Sequence, residues 1–221
     1  IKPNNRLPPE FLLGAASFAF SHLPITGDSL VSYFSAISLS SLITQIKLDE
    51  DLKTSFFSTI PIESNFQNIF GAFFTIERDY QTQDVTSSLK KLISFFGPLI
   101  SPILMDITNE IVGFFFLFAS NKDIGESSII LSSIICILVD ISNGDTNYCE
   151  ILVDMLLNSE LISNIQYEIA FDKIIEILSK IVFSSSAFSG KFIQIIPFVS
   201  MYLTSNESRN FADVSSLIEL I

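Results

Sequence analysis

Two segments of this chain share the pattern IIxIL and are offset by 40 residues: IICIL at residues 134–138 and IIEIL at residues 174–178. Apolar residues at these spacings fall on one face of an α-helix. A helical unit that recurs at about this period cannot bury its apolar face alone, so neighbouring copies stack and share a continuous core. The pattern therefore predicts an all-α fold of stacked helical repeats.

The hydrophobic content, 48% with a mean hydropathy of +0.50, raises the question of membrane spans. Each span needs about 20 mostly apolar residues. The uncharged run 29–46 is diluted by serines and threonines, the run 92–105 is interrupted by glycine and prolines, and the run 127–139 ends at Asp140. A multi-pass helical membrane protein is therefore an alternative that the sequence does not favour.

The net charge is −12, from 24 acidic and 12 basic residues, and residues 111–221 hold 13 of the acidic residues against 5 basic ones. Such a surface repels phosphate backbones and lacks the cations that nucleic-acid binding requires. The same field attracts basic protein segments and speeds their encounter. The composition therefore excludes nucleic acid and favours a basic protein partner.

Few residues of this chain suit catalysis. His22 is the single histidine, so a histidine-based metal cluster is excluded and a catalytic triad would depend on this residue alone. The eight glycines are scattered and form no phosphate-binding loop. Cys136 and Cys149 lie in apolar patterns, which indicates buried free thiols and a reducing, cytoplasmic or nuclear, setting. We expect neither enzyme activity nor a cofactor.

Prolines divide the chain into two parts. Residues 1–27 contain four prolines and are predicted to be irregular, with at most one short helix at 10–21. Residues 28–221 are predicted to form a helical repeat domain, and Asp28 and Asp84 are candidate helix N-caps. The helices predicted in its first half span residues 28–47, 49–59, 63–76, 84–96, 99–107 and 110–119.

The repeats are clearest at residues 124–160 and 161–206. The first is predicted to contain a helix at 124–142, a turn, and a second helix to residue 158 that Asp145 caps. The second is predicted to contain one long helix at 161–183, a serine-rich turn, and a helix at 191–203, before a final helix that runs to the end. The absence of an initial methionine suggests a fragment of a longer solenoid.

Residues 190–199 (GKFIQIIPFV), which follow an amphipathic helix, resemble the last helix of an armadillo repeat, and residues 149–158 resemble the same element one repeat earlier. The resemblance to armadillo and HEAT proteins covers residues 84–221. It implies a right-handed superhelix of stacked helices that binds an extended partner in a groove, as an adaptor or transport receptor does. Importin-alpha-like proteins use tryptophans to hold basic peptides, and this chain has none.

Three carboxylates, Glu168, Asp172 and Glu176, follow one another at four-residue spacing and so share one helix face. One interpretation is a docking strip for lysines or arginines of a partner. The other is a solvated outer face that lysines partly neutralise. The residues predicted to fill the apolar face of the same helix are Ile165, Ile169, Ile174, Leu178 and Ile181.

A second acidic group surrounds the turn after residue 142: Asp140, Asp145, Glu150 and Asp154. The spacing does not match the alternating ligand positions of a calcium loop, so no metal site is expected. Taken together, the sequence predicts a protein-binding scaffold whose groove lies near residues 160–221. A third possibility is a helical domain of an enzyme whose catalytic residues lie elsewhere.

Overall fold

The computed structural model describes residues 8–23, 29–59, 66–185 and 190–205. Within these ranges the chain is all-helical and contains no strand, which confirms the predicted all-α class. The chain divides into two compact units, Ile1–Ile103 and Leu104–Ile221, here called the N-terminal and C-terminal units. The sequence patterns had not indicated a boundary after Ile103.

The N-terminal unit is built around one uncharged helix, α2, which packs against α1 and α5. The first helix begins with a proline at its first position, where no backbone hydrogen bond is lost. Asp28, the candidate cap of α2, lies outside the described residues. The helices are α1 (Pro9–His22), α2 (Ser29–Ile46), α3 (Glu50–Thr59), α4 (Phe66–Tyr80) and α5 (Gln83–Phe96), followed by a 3-10 helix, Gly97–Ile103.

Helix α5 begins and ends at identifiable residues. Thr82 has an extended backbone and its Oγ1 accepts a hydrogen bond from the Val85 N–H, so Thr82 is the N-cap. The prediction that Asp84 caps this helix is wrong, because Asp84 lies in the first turn. The predicted end is confirmed: Gly97 has a φ of 50°, a conformation that favours glycine, and Pro98 follows it.

The C-terminal unit has α7 between α6 and α10, while α8 packs against α6, α10 and a 3-10 helix. Pro197 is the third residue of α11, within the first turn, and therefore interrupts no helical hydrogen bond. The final helix predicted beyond residue 210 lies outside the described residues. The elements are α6 (Leu104–Ala119), α7 (Glu126–Ile141), α8 (Thr146–Leu156), α9 (Ser159–Ser163), α10 (Ile169–Ser184), the 3-10 helix Gly190–Gln194 and α11 (Ile195–Ser205).

Helix α6 replaces two predicted helices, 99–107 and 110–119. The chain does not break near residue 108 because the Thr108 hydroxyl is used in the core: Oγ1 donates to the Leu104 carbonyl at 2.8 Å and shares a hydrogen bond with the Tyr148 hydroxyl at 2.8 Å. The phenylalanine cluster of α6 is buried, whereas Leu117 is 47% exposed, so α6 has one open side. The buried phenylalanines are Phe114, Phe115, Phe116 and Phe118.

One helical run in the described residues, Gln83–Ala119, is long and apolar enough to cross a membrane, and 56% of its most apolar window is buried in the structure. This run contains two α-helices joined by a 3-10 helix with the Gly97 break. The α-helices have 14 and 16 residues and are about 21 and 24 Å long, shorter than the roughly 30 Å of a bilayer's hydrocarbon core. The run therefore gives weak support to the membrane alternative.

Candidate partner-binding surface

The candidate carboxylates lie on and just before α10, which begins later than predicted. The single helix predicted at 161–183 is wrong, since residues 164–168 separate α9 from α10. Asn158 caps α9, because its Oδ1 accepts hydrogen bonds from the backbone N–H groups of Glu160 at 3.1 Å and Leu161 at 3.2 Å. Helix α10 then begins at Ile169, with Glu168 at its N-cap position.

The segment 164–168 leaves the helical path because it closes the end of α6. The backbone N–H groups of Gln166 and Tyr167 both donate to the Ala119 carbonyl, each at 2.9 Å. Ala119 is the last residue of α6, where carbonyls have no partner within the helix. The segment thus satisfies a helix terminus that is distant in sequence, and no local pattern could reveal this need.

Tyr167 also packs directly against Gly125, the residue before α7. A Cβ atom at position 125 would lie less than 3.0 Å from three atoms of the Tyr167 side chain. Glycine is therefore required here by space, since its φ of −55° is one that any residue adopts. This contact and the two hydrogen bonds to Ala119 fix the segment from which α10 starts.

All three predicted carboxylates are exposed. Glu168 occupies the N-cap position of α10, and its side chain makes no capping hydrogen bond. Glu176 accepts a hydrogen bond from the Lys173 Nζ at 2.7 Å, an exposed ion pair within the helix. Because Glu168 keeps helical backbone angles, it continues the four-residue spacing of Asp172 and Glu176.

The exposed side of α10 combines carboxylates with large apolar side chains. Ile169 is 43% exposed and Phe183 is 64% exposed. The prediction that Ile165 and Ile169 fill the apolar face is wrong: Ile165 lies in the segment before the helix, and Ile169 faces outward. The remaining members, Ile174, Leu178 and Ile181, are fully buried as predicted. We call the outward row the α10 stripe; it consists of Ile169, Asp172, Glu176, Lys180 and Phe183.

The two copies of the IIxIL pattern lie on adjacent helices, α7 and α10. Residues that are 40 positions apart lie close together across this contact. Asp140 and Lys180 form an ion pair at 2.5 Å, and Glu176 is close enough to Cys136 to influence its ionisation. Corresponding residues of the two helices are therefore side by side, as in parallel neighbours.

Neither cysteine suits nucleophilic chemistry. Burial, together with the charges of Glu176 and Asp140, raises the pKa of the Cys136 thiol to about 11, although Lys180 and Lys173 partly oppose the rise. The pKa of Cys149 is also raised, mainly by burial and also by Asp145. Both cysteines are free, and a raised pKa keeps each as the unreactive thiol near neutral pH.

The second acidic group does not converge on one point. Asp145 accepts a hydrogen bond from the Tyr148 N–H at 2.8 Å, which confirms its predicted role as the N-cap of α8. Asp154 pairs with Lys191 at 2.6 Å, and Asp140 pairs with Lys180. In the part of the chain that the structure describes, no three potential metal ligands come together.

His22 is held within its own helix. Its Nδ1 lies 2.8 Å from the Phe18 carbonyl oxygen and 3.0 Å from the Ser21 Oγ, and its ring stacks on Phe18 with 3.9 Å between ring centroids.

No protein-family model, curated protein or solved structure matches the chain. The geometry of the C-terminal unit is thus the basis for any functional conclusion.

Proposed function

We propose that this protein is a non-catalytic scaffold of the armadillo or HEAT kind, in which the α10 stripe receives a basic, amphipathic protein segment. The observation on which this rests is the stripe itself: exposed carboxylates between two exposed apolar side chains, Ile169 and Phe183. A surface of this composition is complementary to a helix with lysines or arginines beside leucine-like residues.

The solenoid part of the proposal is supported by helix packing within each unit. In the N-terminal unit, α2 packs against α5, and each has a further neighbour, α1 or α4. In the C-terminal unit, α7 packs against α10 in the same manner, with α6 and α8 as their neighbours. Stacked helical repeats produce this arrangement, because each repeat is a pair of helices and the equivalent helices of neighbouring repeats pack against each other.

The dimensions of the α10 stripe define the length of the partner. Ile169 and Phe183 are 14 positions apart on one helix, which places them about 21 Å from each other. A partner helix of about 18 residues would span both apolar side chains and the carboxylates between them. Lys173 already engages Glu176, so that a partner's cation must compete for this carboxylate, whereas the Glu168 side chain makes no capping bond.

Binding can be measured by fluorescence anisotropy with a labelled synthetic peptide of about 18 residues, with leucines on one face and lysines on the other. Replacing Glu168, Asp172 and Glu176 together by lysine should weaken binding about tenfold or more, because three attractive contacts become repulsive. A matched triple variant, Glu10→Lys, Asp51→Lys and Asp79→Lys, makes the same change in net charge at exposed positions outside the stripe.

The control variant should retain an affinity within about twofold of the original, since exposed charges that make no contact with the peptide contribute little in the presence of salt. Equal weakening by both variants would show that the peptide is attracted only by the overall negative charge, and the stripe would lose its role. Ile169→Ser combined with Phe183→Ser tests the apolar part, and it should also weaken binding without changing the charge.

An intracellular setting remains part of the proposal, since both cysteines are free thiols. The membrane alternative rests on the run Gln83–Ala119. Expression without detergent distinguishes the scaffold from the membrane alternative, because a bundle in a bilayer would be recovered only with detergent.

A further inference from the structure

We propose that Glu77 makes the packing of α4 against α5 dependent on pH: the two helices are held together while its carboxyl group is protonated and separate more readily once it is ionised. This inference concerns the N-terminal unit and is independent of the proposed function. It starts from burial, because Glu77 is 0% exposed and lies in the last turn of α4 among apolar side chains of the core.

The hydrogen bonds of Glu77 are incomplete. The Thr86 hydroxyl donates to Oε1 at 2.7 Å, while Oε2 is buried and has no hydrogen-bond partner among the described residues. A protonated carboxyl group needs fewer donors than a carboxylate, which offers about four acceptor sites on two oxygens. The surroundings therefore suit the neutral acid, and an ionised Oε2 would be left without a donor in a medium of low polarity.

The charged groups nearby do not offset this cost. The titratable residues of the elements packed on α4 are Tyr33 on α2 and Asp84, Lys90 and Lys91 on α5; the 3-10 helix Gly97–Ile103 has none, and α4 itself carries Arg78, Asp79 and Tyr80 near its end. None of them contributes to the shift in the pKa of Glu77. Burial raises this pKa from 4.5 to about 7, and the Thr86 hydrogen bond lowers it only in part.

The position of Glu77 couples its ionisation to helix packing. Its backbone carbonyl accepts a hydrogen bond from the Gln81 N–H at 3.0 Å, and Gln81 has a φ of 49° in the short link between the helices. The Thr86 hydroxyl lies within 3.1 Å of the Thr82 carbonyl as well, so that Thr86 joins the first turn of α5 to Glu77. Water can reach an ionised Glu77 only if this junction opens.

The sign of the pH dependence follows from the two pKa values. Between pH 4.5 and about 7 the folded unit keeps the proton while the unfolded chain releases it, so the unfolded state binds fewer protons. Opening therefore becomes more favourable as the pH rises through this window and levels off above it. The full change in the opening equilibrium is on the order of a hundredfold.

Hydrogen–deuterium exchange of the full chain, measured at pH 5.5 to 8 and corrected for intrinsic rates, tests this directly. Amides of α4 and α5 should show opening constants that rise at least about tenfold across this range, and Glu77→Gln should abolish the rise because its amide does not titrate. Glu50→Gln is the matched control, since Glu50 is exposed in the same unit. Amides of α6 and α7 serve as an internal reference.

A second measurement covers the case in which Glu77→Gln does not fold. The carboxyl carbon of Glu77 in the unaltered chain can be titrated by NMR, and it should show a protonated group at pH 6. A carboxyl signal that is fully ionised at pH 6 would overturn the proposal. So would a pH-dependent opening of α4 and α5 that persists in a folded Glu77→Gln variant.

Discussion

The two units place polar groups in their cores in different ways. In the N-terminal unit, the buried carboxyl group of Glu77 has a hydroxyl partner on one oxygen and no partner on the other. In the C-terminal unit, the hydroxyls of Thr108 and Tyr148 are bonded to each other, and Thr108 also donates to a carbonyl of its own helix. Burial raises the pKa of Tyr148, so this pair stays neutral at any ordinary pH.

The contrast shows where each unit is sensitive. The hydrogen bonds of a pair of hydroxyls do not depend on pH in the ordinary range, whereas a carboxyl group needs more donors once it is ionised. The C-terminal unit instead depends on a close steric contact, between Gly125 and Tyr167, while Gly14 and Gly71 in the N-terminal unit have open space beside them. We therefore expect pH to perturb the first unit and side-chain volume to perturb the second.

The largest effect expected from a substitution is that of Gly125→Ala. The added methyl group overlaps the Tyr167 ring, which must move together with the segment that closes α6, at a cost of about 2 kcal/mol. Gly113→Ala is the matched control, because Gly113 lies on the open side of α6 with no atom within 4 Å of a new Cβ. That change should stabilise the unit by up to about 1 kcal/mol.

Denaturant unfolding measures both effects, and a double variant identifies their cause. If the overlap is the reason, the double variant Gly125→Ala, Tyr167→Ala should lose less free energy of unfolding than the two single variants lose together. Strict additivity would mean that position 125 is sensitive for another reason, and the steric half of the comparison would fail.

Two helix boundaries were predicted correctly from local signals, although the local signal at Asp84 gave the wrong cap for α5. The end of α5 at residue 96 and the Asp145 cap depend on residues within a few positions of each other, and both predictions are confirmed. The start of α10 was missed because it depends on hydrogen bonds to Ala119, a residue 47 positions before Gln166. The break predicted between residues 107 and 110 is wrong for the same reason, since the Thr108 hydroxyl has a partner on α8.

The candidate surface was predictable in its charges and not in its apolar residues. Four-residue spacing placed Asp172 and Glu176 on one face, and both are exposed. The exposure of Ile169 could not be foreseen, because an isoleucine in an apolar pattern is more often buried. Phe183 lies 14 positions after Ile169, a spacing that places both residues on the same face of a helix but does not show that this face is exposed.

The second prediction compares the hydroxyl groups that serve the two cores. Thr86→Val removes the donor to Glu77 and should cost about 1 kcal/mol at pH 5 and more at pH 8, where the carboxylate needs that donor most. Tyr148→Phe should also cost about 1 kcal/mol, equally at both pH values, because Thr108 keeps its bond to Leu104. Denaturant unfolding at the two pH values separates these outcomes. An equal pH dependence for both variants would remove the contrast between the cores.

The smallest effect expected is that of the ion pair between α7 and α10. Asp140 and Lys180 are 59% and 36% exposed, so a double-mutant cycle with alanine should give a coupling energy of about 0.5 kcal/mol that decreases as salt is added. Glu50 and Lys53 in α3, at 3.4 Å, form the reference pair. Their coupling energy should be smaller because Glu50 is 80% exposed. Since Asp140 and Lys180 occupy corresponding positions of the two IIxIL helices, a measurable coupling would verify their side-by-side alignment in solution. A coupling of zero at low salt would contradict it and weaken the case for stacked repeats.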